Sequence, residues 1–418
     1  MTEIKFFKHQ QDVLNQIKDQ NRVGLFLDMG LGKTFVGAEK LHQLDKPLNL
    51  IICQKSLIPM WVKHFENYYP EYEIHNGREE IPTEFGSGKH LLIINYDLVF
   101  RRDLEQFENY TLLLDESSQI QNPKTKRTKA ILNLKPENVI LLSGTPVSGK
   151  YENLWSQAHL LGWKISEKLF LKQYVNWETI EVGGFFQKIV KKEDPYRNEE
   201  RLKKKLRQNG AVFMKTDEVF DLPEQVFTVR EVPSSNYYKE FERHRYVDLG
   251  DIEIIGDTTL TARLGLRQLA GIYSKEKLEL FKDLIDSTNE RLIVFYNFNK
   301  ELDELINLIG ERPYGVVNGS EKKLEPYEND SDSITFIQYQ AGSHGLNLQK
   351  ANHIVYYTLP ENSELFEQSK KRTHRIGQEK TCFYHILMVE NSIEEKIYKT
   401  LQKRQDYTDD LFKEEFEN

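Results

Sequence analysis

The residues best placed to do chemistry together are Asp28-Met29-Gly30-Leu31-Gly32-Lys33-Thr34, which follow the apolar run Val23 to Leu27 and precede a helical pattern from Phe35 to Leu44. A strand, a glycine-rich loop and a helix start, in that order, make a cradle for phosphate oxygens. Gly30 and Gly32 can take positive φ and turn backbone N–H groups toward an anion, and the helix N-terminus adds partial positive charge. Lys33 then sits on the β- and γ-phosphates of a nucleoside triphosphate and the Thr34 hydroxyl on Mg2+. The full form of this motif opens on a glycine where this chain has Leu27, so the match is incomplete.

Two more polar clusters end apolar runs. Leu112-Leu113-Leu114 leads into Asp115-Glu116, a pairing that supplies a Mg2+-coordinating aspartate and a glutamate able to orient or deprotonate an attacking water. In isolation an Asp-Glu pair reads as a solvated turn; the phosphate loop upstream favours the catalytic reading. Ile140-Leu141-Leu142 leads into Ser143-Gly144-Thr145-Pro146, whose plainer reading is also a turn.

These clusters sit in an alternation of apolar runs and amphipathic stretches. The first third offers strands at Val23–Leu27, Asn49–Cys53, His90–Asn95, Tyr110–Leu114 and Asn138–Ser143; the last third offers Arg291–Phe295, Tyr314–Asn318, Ser333–Gln338, His353–Tyr357 and Cys382–Met388. Alternation of that kind predicts parallel, helix-covered sheets, whose ligands lie beyond the carboxyl ends of the strands. The middle reads as helix-rich, with a charge cluster from Lys188 to Arg207 that suits a solvated helical face. The expected fold is α/β: two tandem parallel-sheet lobes, 1–160 and 276–418, with a helical insertion at 161–275.

Length and composition agree. A chain of 418 residues exceeds one ordinary core, and 39% hydrophobic with 29% charged residues is the balance of a globular protein. No apolar stretch reaches membrane-span length and MTEIKFFKHQ lacks a signal peptide's apolar core, so the expectation is an intracellular, soluble protein with no membrane partner. The two cysteines, Cys53 and Cys382, each lie in a strand-like run and read as buried thiols, so the expectation is neither a zinc site nor a disulfide scaffold. A net charge of −8 argues weakly against indiscriminate nucleic-acid binding but permits a local basic groove.

With these motifs in order, the chain resembles a superfamily-two ATPase of the Swi/Snf chromatin-remodeller type, with RecA-like lobes, along almost its whole length. Phe7-Lys8-His9-Gln10 is similar to the adenine-reading element, which implies nucleotide contacts from Lys8 and from Gln10 to the base. Leu50 to Leu57, followed by Trp61 and Phe65, resembles a block lying along the nucleic-acid backbone, which implies contacts from Lys55 and Ser56; Trp61 and Phe65 themselves read as helix packing. Asn95-Tyr96 resembles the contact to the tracked strand, and Glu152-Asn153-Leu154-Trp155 continues the Ser-Gly-Thr-Pro block.

The carboxyl half carries the sharpest likeness. Gln368 to Gln378 resembles the arginine-finger block, which implies that Arg372 and Arg375 face the γ-phosphate, a task suited to guanidinium groups that stay charged and spread over several oxygens. Ala341 to Leu348 resembles the glycine-rich block that couples nucleotide to nucleic acid, which implies Gly345 at the nucleotide and His344 and Asn347 at the polymer. Arg291 to Asn297 matches a lesser landmark, with Asn297 also at the polymer. Ser392 and Glu395 read independently as a helix capping box. The family's protrusions give the Lys188–Arg207 cluster a second reading as a DNA-backbone contact.

Departures are visible. Ser118 stands where the family usually has histidine, and Thr358 and Glu361 replace an acidic residue and a tryptophan, while Asn362 is kept. No accessory domain fits beside the lobes, which makes a bare motor of phage or bacterial style the expectation. The resemblance implies ATP with Mg2+ between lobes and, as partner, double-stranded or forked DNA, with a recruiting protein left open. Three functions follow: a DNA-dependent translocating ATPase, a strand-separating DNA or RNA helicase, and a nucleotide-gated clamp with little hydrolysis.

Overall fold

The computed structural model describes residues 4–182, 184–250, 252–342 and 346–412. The chain divides between Val219 and Phe220 into two compact units, the second running to Asp406.

The first unit is built on β1 (Arg22–Leu27), β2 (Leu48–Cys53), β3 (Tyr72–Asn76), β4 (Lys89–Asn95), β5 (Tyr110–Asp115) and β6 (Asn138–Leu142). A hairpin of β7 (Trp177–Val182) and β8 (Phe185–Val190) follows, then β9 (Ala211–Met214). Among the described residues seven strands form one sheet in the order β3-β4-β2-β5-β6-β1-β9, every ladder parallel. All residues of β2, β5 and β6 are buried, so strands covered on both faces read as continuous apolar runs and not as alternations.

Helices over Lys8–Gln16, Lys33–Gln43 and Ile58–Tyr68 cover this sheet. Buried Lys40 donates its Nζ to the carbonyls of Ile17 at 2.9 Å and Lys18 at 3.0 Å, which caps the first helix against the second. Trp61 and Phe65 are fully buried, as their four-residue spacing on one helix suggests. Beside them His64 is 7% exposed among Phe35, Tyr68 and Trp61, and its Nε2 has no hydrogen-bond partner. Burial pushes its pKa from 6.5 down to about 4.

A group whose folded pKa is depressed stabilises the fold above its ordinary pKa and loses that contribution as pH falls. The window here runs from 6.5 down toward 4. His64→Phe keeps the aromatic packing and removes the titration. Its melting temperature at pH 5, relative to pH 7.5, is expected to fall by a few degrees less than that of the parent chain, since about 1–2 kcal/mol is at stake. Equal acid sensitivity by calorimetry would show that His64 does not limit the first unit.

The second unit carries β10 (Gln225–Val232), the pair β11 (Tyr246–Asp248) and β12 (Glu253–Ile255), then β13 (Leu292–Tyr296), β14 (Tyr314–Val317), β15 (Lys322–Lys323), β16 (Ile334–Gln338), β17 (His353–Tyr356) and β18 (Cys382–Val389). The order is β10-β18-β17-β13-β16-β14-β15, parallel except where β15 turns back on β14. Two parallel-dominated sheets in tandem are therefore present, as expected.

The middle of the chain departs from its reading as one helical insertion. Residues 161–219 belong to the first unit and 220–275 to the second, and β9 and β10 each complete an edge of a main sheet. Both strands escape a periodicity search for physical reasons: β9 is four residues long, and the edge strand β10 is half exposed, so Gln225–Val232 shows no apolar run. The Lys188–Arg207 cluster is likewise not one helical face. Lys188 lies on β8 over the Trp177 ring, while Lys203, on the helix Glu199–Gln208, is 4% exposed and paired with Glu200 at 2.8 Å.

Cys53 and Cys382 are free and buried. Burial raises both thiols, Cys382 to about 11. No described helix is long and apolar enough to cross a membrane.

Candidate active site

The glycine loop leaves the carboxyl end of β1 with Gly30 at φ +93° and Gly32 at φ +77°, conformations that a side chain would strain. Gly32 is the N-cap of the helix Lys33–Gln43, so the first-turn N–H groups, which have no acceptor within the helix, and the positive end of its dipole meet at the loop. Lys33 Nζ lies 3.4 Å from the Asp28 carbonyl, and a Cβ added at Gly144 would stand 3.3 Å from that same ammonium. The Ser143–Pro146 turn thus packs closely on the loop, and a side chain at position 144 would crowd the ammonium. Met29, Lys33 and Thr34 are partly exposed, Gly30 is exposed and Leu31 is buried.

Asp115 ends β5 and faces Leu142 of β6 in register. Since the order is β5-β6-β1, its carboxylate is two strands from the glycine loop, a lateral step of about 10 Å. It is 6% exposed; burial raises its pKa, while the Trp61 indole N–H, donated to Oδ2 at 2.8 Å, and the Lys33 charge oppose the rise. Glu116 follows in the left-handed region, φ 54° and ψ 61°, a turn that aims consecutive carboxylates differently at a strain of about 1 kcal/mol. An acid at the strand end, an ammonium and backbone donors around one space can hold a polyphosphate and a divalent cation.

A polar network ties the acidic turn to the Ser-Gly-Thr-Pro turn. Ser117 donates to Gln157 Oε1 at 2.8 Å, and the Gln157 amide donates to the Pro146 carbonyl at 2.6 Å. Gln121 donates to the same carbonyl at 3.2 Å and accepts from Asn153 at 3.1 Å. Ser118 is buried beside this network at 6% exposure.

Several residues of the resemblance have partners of their own within the fold. Gln10 is buried, with Oε1 accepting from the Phe7 N–H at 3.0 Å and Nε2 donating to the Leu31 carbonyl at 3.1 Å, so it braces the glycine loop; Lys8 beside it is exposed. Tyr96, expected at a nucleic-acid surface, is 2% exposed and donates its hydroxyl to the Asp115 carbonyl at 2.9 Å, which makes it a support of the acidic turn. Asn95 is 5% exposed at the end of β4, and only Lys55 and Ser56 of this group are fully at the surface.

In the second unit the helix Ser363–Lys370 stops before the arginines, which lie in the turns that follow and not on a helical face. Arg372 is 3% exposed and donates to the Leu346 carbonyl at 3.4 Å; Arg375 is half-buried, and burial lowers its pKa. Gln378 pins the turn through the carbonyls of Gln349 at 3.1 Å and Ala351 at 3.0 Å. Asn297 donates to Thr358 Oγ1 at 2.9 Å and to the Leu359 carbonyl at 3.1 Å, an interior strut where a polymer contact was expected, whereas Asn347 is exposed. His344 and Gly345 lie outside the described residues. The capping expected at Ser392 and Glu395 is present in shifted form: Ser392 accepts from the Glu394 N–H at 3.1 Å and Glu395 from the Asn391 N–H at 2.6 Å.

One support was illegible in the sequence. Thr216, two residues beyond β9, donates to Asp28 Oδ2 at 3.2 Å and lies 3.0 Å from the Met29 carbonyl, while Asp28 Oδ1 accepts from the Met29 N–H at 2.9 Å. The partners are 188 residues apart, so no local spacing signals them. Thr216→Val removes this brace at constant volume. The expected result is a three- to tenfold weaker ATP affinity by titration calorimetry, from about 1 kcal/mol of lost hydrogen bonding, with the melting temperature lowered by only a few degrees.

Two parallel α/β units in tandem, the first gathering a glycine loop, a buried acid and a polar turn at three adjacent strand ends, define a helicase-like chain. The chain belongs to the SNF2-related family: the SNF2-related domain matches residues 9–270, and a helicase conserved C-terminal domain matches 276–377. YwqA of Bacillus subtilis, which bears the name of an ATP-dependent helicase/translocase, is 27% identical over 93% of this chain and 46% of its own length. The ATP-dependent DNA helicase DDM1 of Arabidopsis thaliana is 24% identical over 90% of this chain and 57% of its own, and the human DNA excision repair protein ERCC-6 is 22% identical over 94% and 31%. The chain therefore spans between 31% and 57% of these relatives' lengths. Among solved structures, a Sulfolobus solfataricus SWI2/SNF2 ATPase core in complex with dsDNA matches 97% of this chain and 92% of that one, with a TM-score of 0.47 and 21% identity.

Proposed function

We propose that the chain is a DNA-dependent ATPase that hydrolyses ATP to translocate on or remodel double-stranded or branched DNA. The observation that carries this reading is the convergence of Lys33, Asp115 and Gly144 at the ends of three adjacent strands, β1, β5 and β6. Family membership supports it, as do the names of relatives that are ATP-dependent DNA helicases.

In this reading the Gly30–Gly32 backbone and Lys33 bind the phosphates, and Lys8 and Gln10 border the nucleotide from the first helix. Thr34 and Asp115 suit Mg2+: burial raises the acid's pKa while the Trp61 N–H and the Lys33 charge oppose the rise, and two oxygen donors match a hard cation. That ion, when bound, neutralises charge on the phosphate oxygens. Glu116 orients the attacking water and takes its proton, and Arg372 with Arg375 adds guanidinium charge that matters most in the transition state. Lys55, Ser56 and Asn347 are the exposed candidates for contact with the polymer.

A strand-separating helicase is the second reading, and one feature favours it. The β7–β8 hairpin exposes Phe185 at 75% and Phe186 at 78%, next to Lys188, the combination of flat rings and positive charge on which unpaired bases stack.

The test is steady-state ATP hydrolysis by the full chain with no polymer, duplex DNA, forked DNA, single-stranded DNA and RNA, each against Lys33→Ala. Stimulation by duplex or forked DNA that Lys33→Ala abolishes is the expected result. Preference for single strands or RNA moves the reading to strand separation, and no hydrolysis above the Lys33→Ala background overturns both.

A further inference from the structure

The outer edge of the first sheet, away from the glycine loop, holds an unusual side-chain cluster. Glu73 and His75 are two residues apart on β3 and so share one face of the strand, and Glu73 is in register with His90 of β4. His75 Nε2 lies 3.2 Å from His90 Nδ1. Glu73 Oε2 is 3.4 Å from His90 Nδ1 and its other oxygen, Oε1, 3.8 Å from His75 Nε2, and one ligand atom from each residue falls within 4.8 Å of the others.

The proton on His90 can be placed. Its Nε2 is 3.1 Å from the Gly86 carbonyl, which can only accept, so Nε2 carries the hydrogen and Nδ1 turns its lone pair toward His75 and Glu73. An imidazole whose far N–H is held by a backbone carbonyl is the arrangement that orients metal-binding histidines. The Phe85 ring covers the pair, with centroids 5.3 Å from His75 and 5.1 Å from His90, and packs on Phe107 at 5.6 Å.

We propose that Glu73, His75 and His90 form a binding site for a Zn2+-class divalent transition-metal ion, with its fourth position open to water. Tetrahedral bonds of about 2.0–2.1 Å put neighbouring ligand atoms about 3.3–3.4 Å apart; the two imidazole nitrogens at 3.2 Å and Glu73 Oε2 at 3.4 Å from His90 already meet this, and rotation of the exposed carboxylate closes the remaining edge to His75, whose ligand atoms lie within 4.8 Å. Two imidazoles and one carboxylate favour Zn2+, Co2+, Ni2+ or Cu2+ over Mg2+ or Ca2+, which take oxygen. The expectation of no zinc site was read from the two cysteines alone, and this cluster uses none of them.

The ion would fasten the edge strand β3 to β4 and, through Gly86, to the segment that joins them. Glu73 and His90 are each the second residue of their strands, and β3 is five strands from β1, about 24 Å away. The site therefore lies at the opposite end of the sheet from the catalytic turns and is separable from them.

The experiment uses the full chain, stripped with a chelator and free of nucleotide, titrated with Co2+ and then with Zn2+. One equivalent of Co2+ should give visible ligand-field absorption without a thiolate charge-transfer band, and Zn2+ should bleach it and raise the melting temperature. His75→Ala and Glu73→Gln change groups that are partly or fully exposed, so both should fold, as metal-free melting will show. Each should weaken binding at least about tenfold while leaving Lys33-dependent ATP hydrolysis unchanged. No stoichiometric binding, or binding equally tight in both variants, overturns the proposal and leaves the two histidines joined by an ordinary N–H···N hydrogen bond.

Discussion

Glu116→Gln is expected to bind ATP as tightly as the parent chain and to hydrolyse it at least about 100-fold more slowly, the usual contribution of a positioned general base. The substitution changes charge and little else. The backbone carbonyl of Glu116 accepts from the Tyr96 hydroxyl at 3.3 Å and from the Gln119 N–H at 2.9 Å, and both bonds survive in the amide. The left-handed backbone at φ 54° is also tolerated by glutamine at little added cost. ATP affinity by calorimetry and single-turnover hydrolysis, measured side by side, separate binding from chemistry. Unchanged turnover would remove Glu116 from the mechanism and leave the acidic turn as a structural cap.

Arg375→Ala is expected to lower polymer-stimulated hydrolysis about 1,000-fold, in the range found when a transition-state arginine is withdrawn, with ATP and DNA affinities changed less than about threefold. Arg375 is the cleaner probe of the pair. Arg372 is 3% exposed, holds the Leu346 carbonyl, and its own carbonyl accepts from the Leu348 N–H at 3.1 Å, so Arg372→Ala mixes lost charge with lost packing and should also lower the melting temperature. Arg375→Lys keeps one positive charge without the planar fork and should recover only part of the rate. A normal rate in Arg375→Ala would assign the arginine block to structure alone.

The parts of this protein that could be read from its residues are those whose physics is local. The buried strands β2, β5 and β6 announce themselves because both faces are covered, and the glycine loop because positive φ at Gly30 and Gly32 demands a particular residue. Edge strands were lost for the opposite reason. β3, β9 and β10 are short or half exposed, and their pairing depends on neighbours far along the chain. Side-chain partners were less legible still. Gln10, Tyr96 and Asn297 carry polar groups that suit a ligand and equally suit a backbone carbonyl, and only packing shows that Leu31, Asp115 and Leu359 take them. The Glu73, His75 and His90 cluster was hidden because its members span two strands and only one pair is close in sequence.

The bond from Thr216 to Asp28 also sets a timetable. The glycine loop leaves the ribosome well before the hydroxyl that steadies it, which is made 188 residues later. At about 5–20 residues per second this is a delay of about 10–40 s, during which β1 has an open edge where β9 will pair. If the loop binds nucleotide as proposed, a nascent chain can form it early but grips nucleotide fully only after β9 has been synthesised.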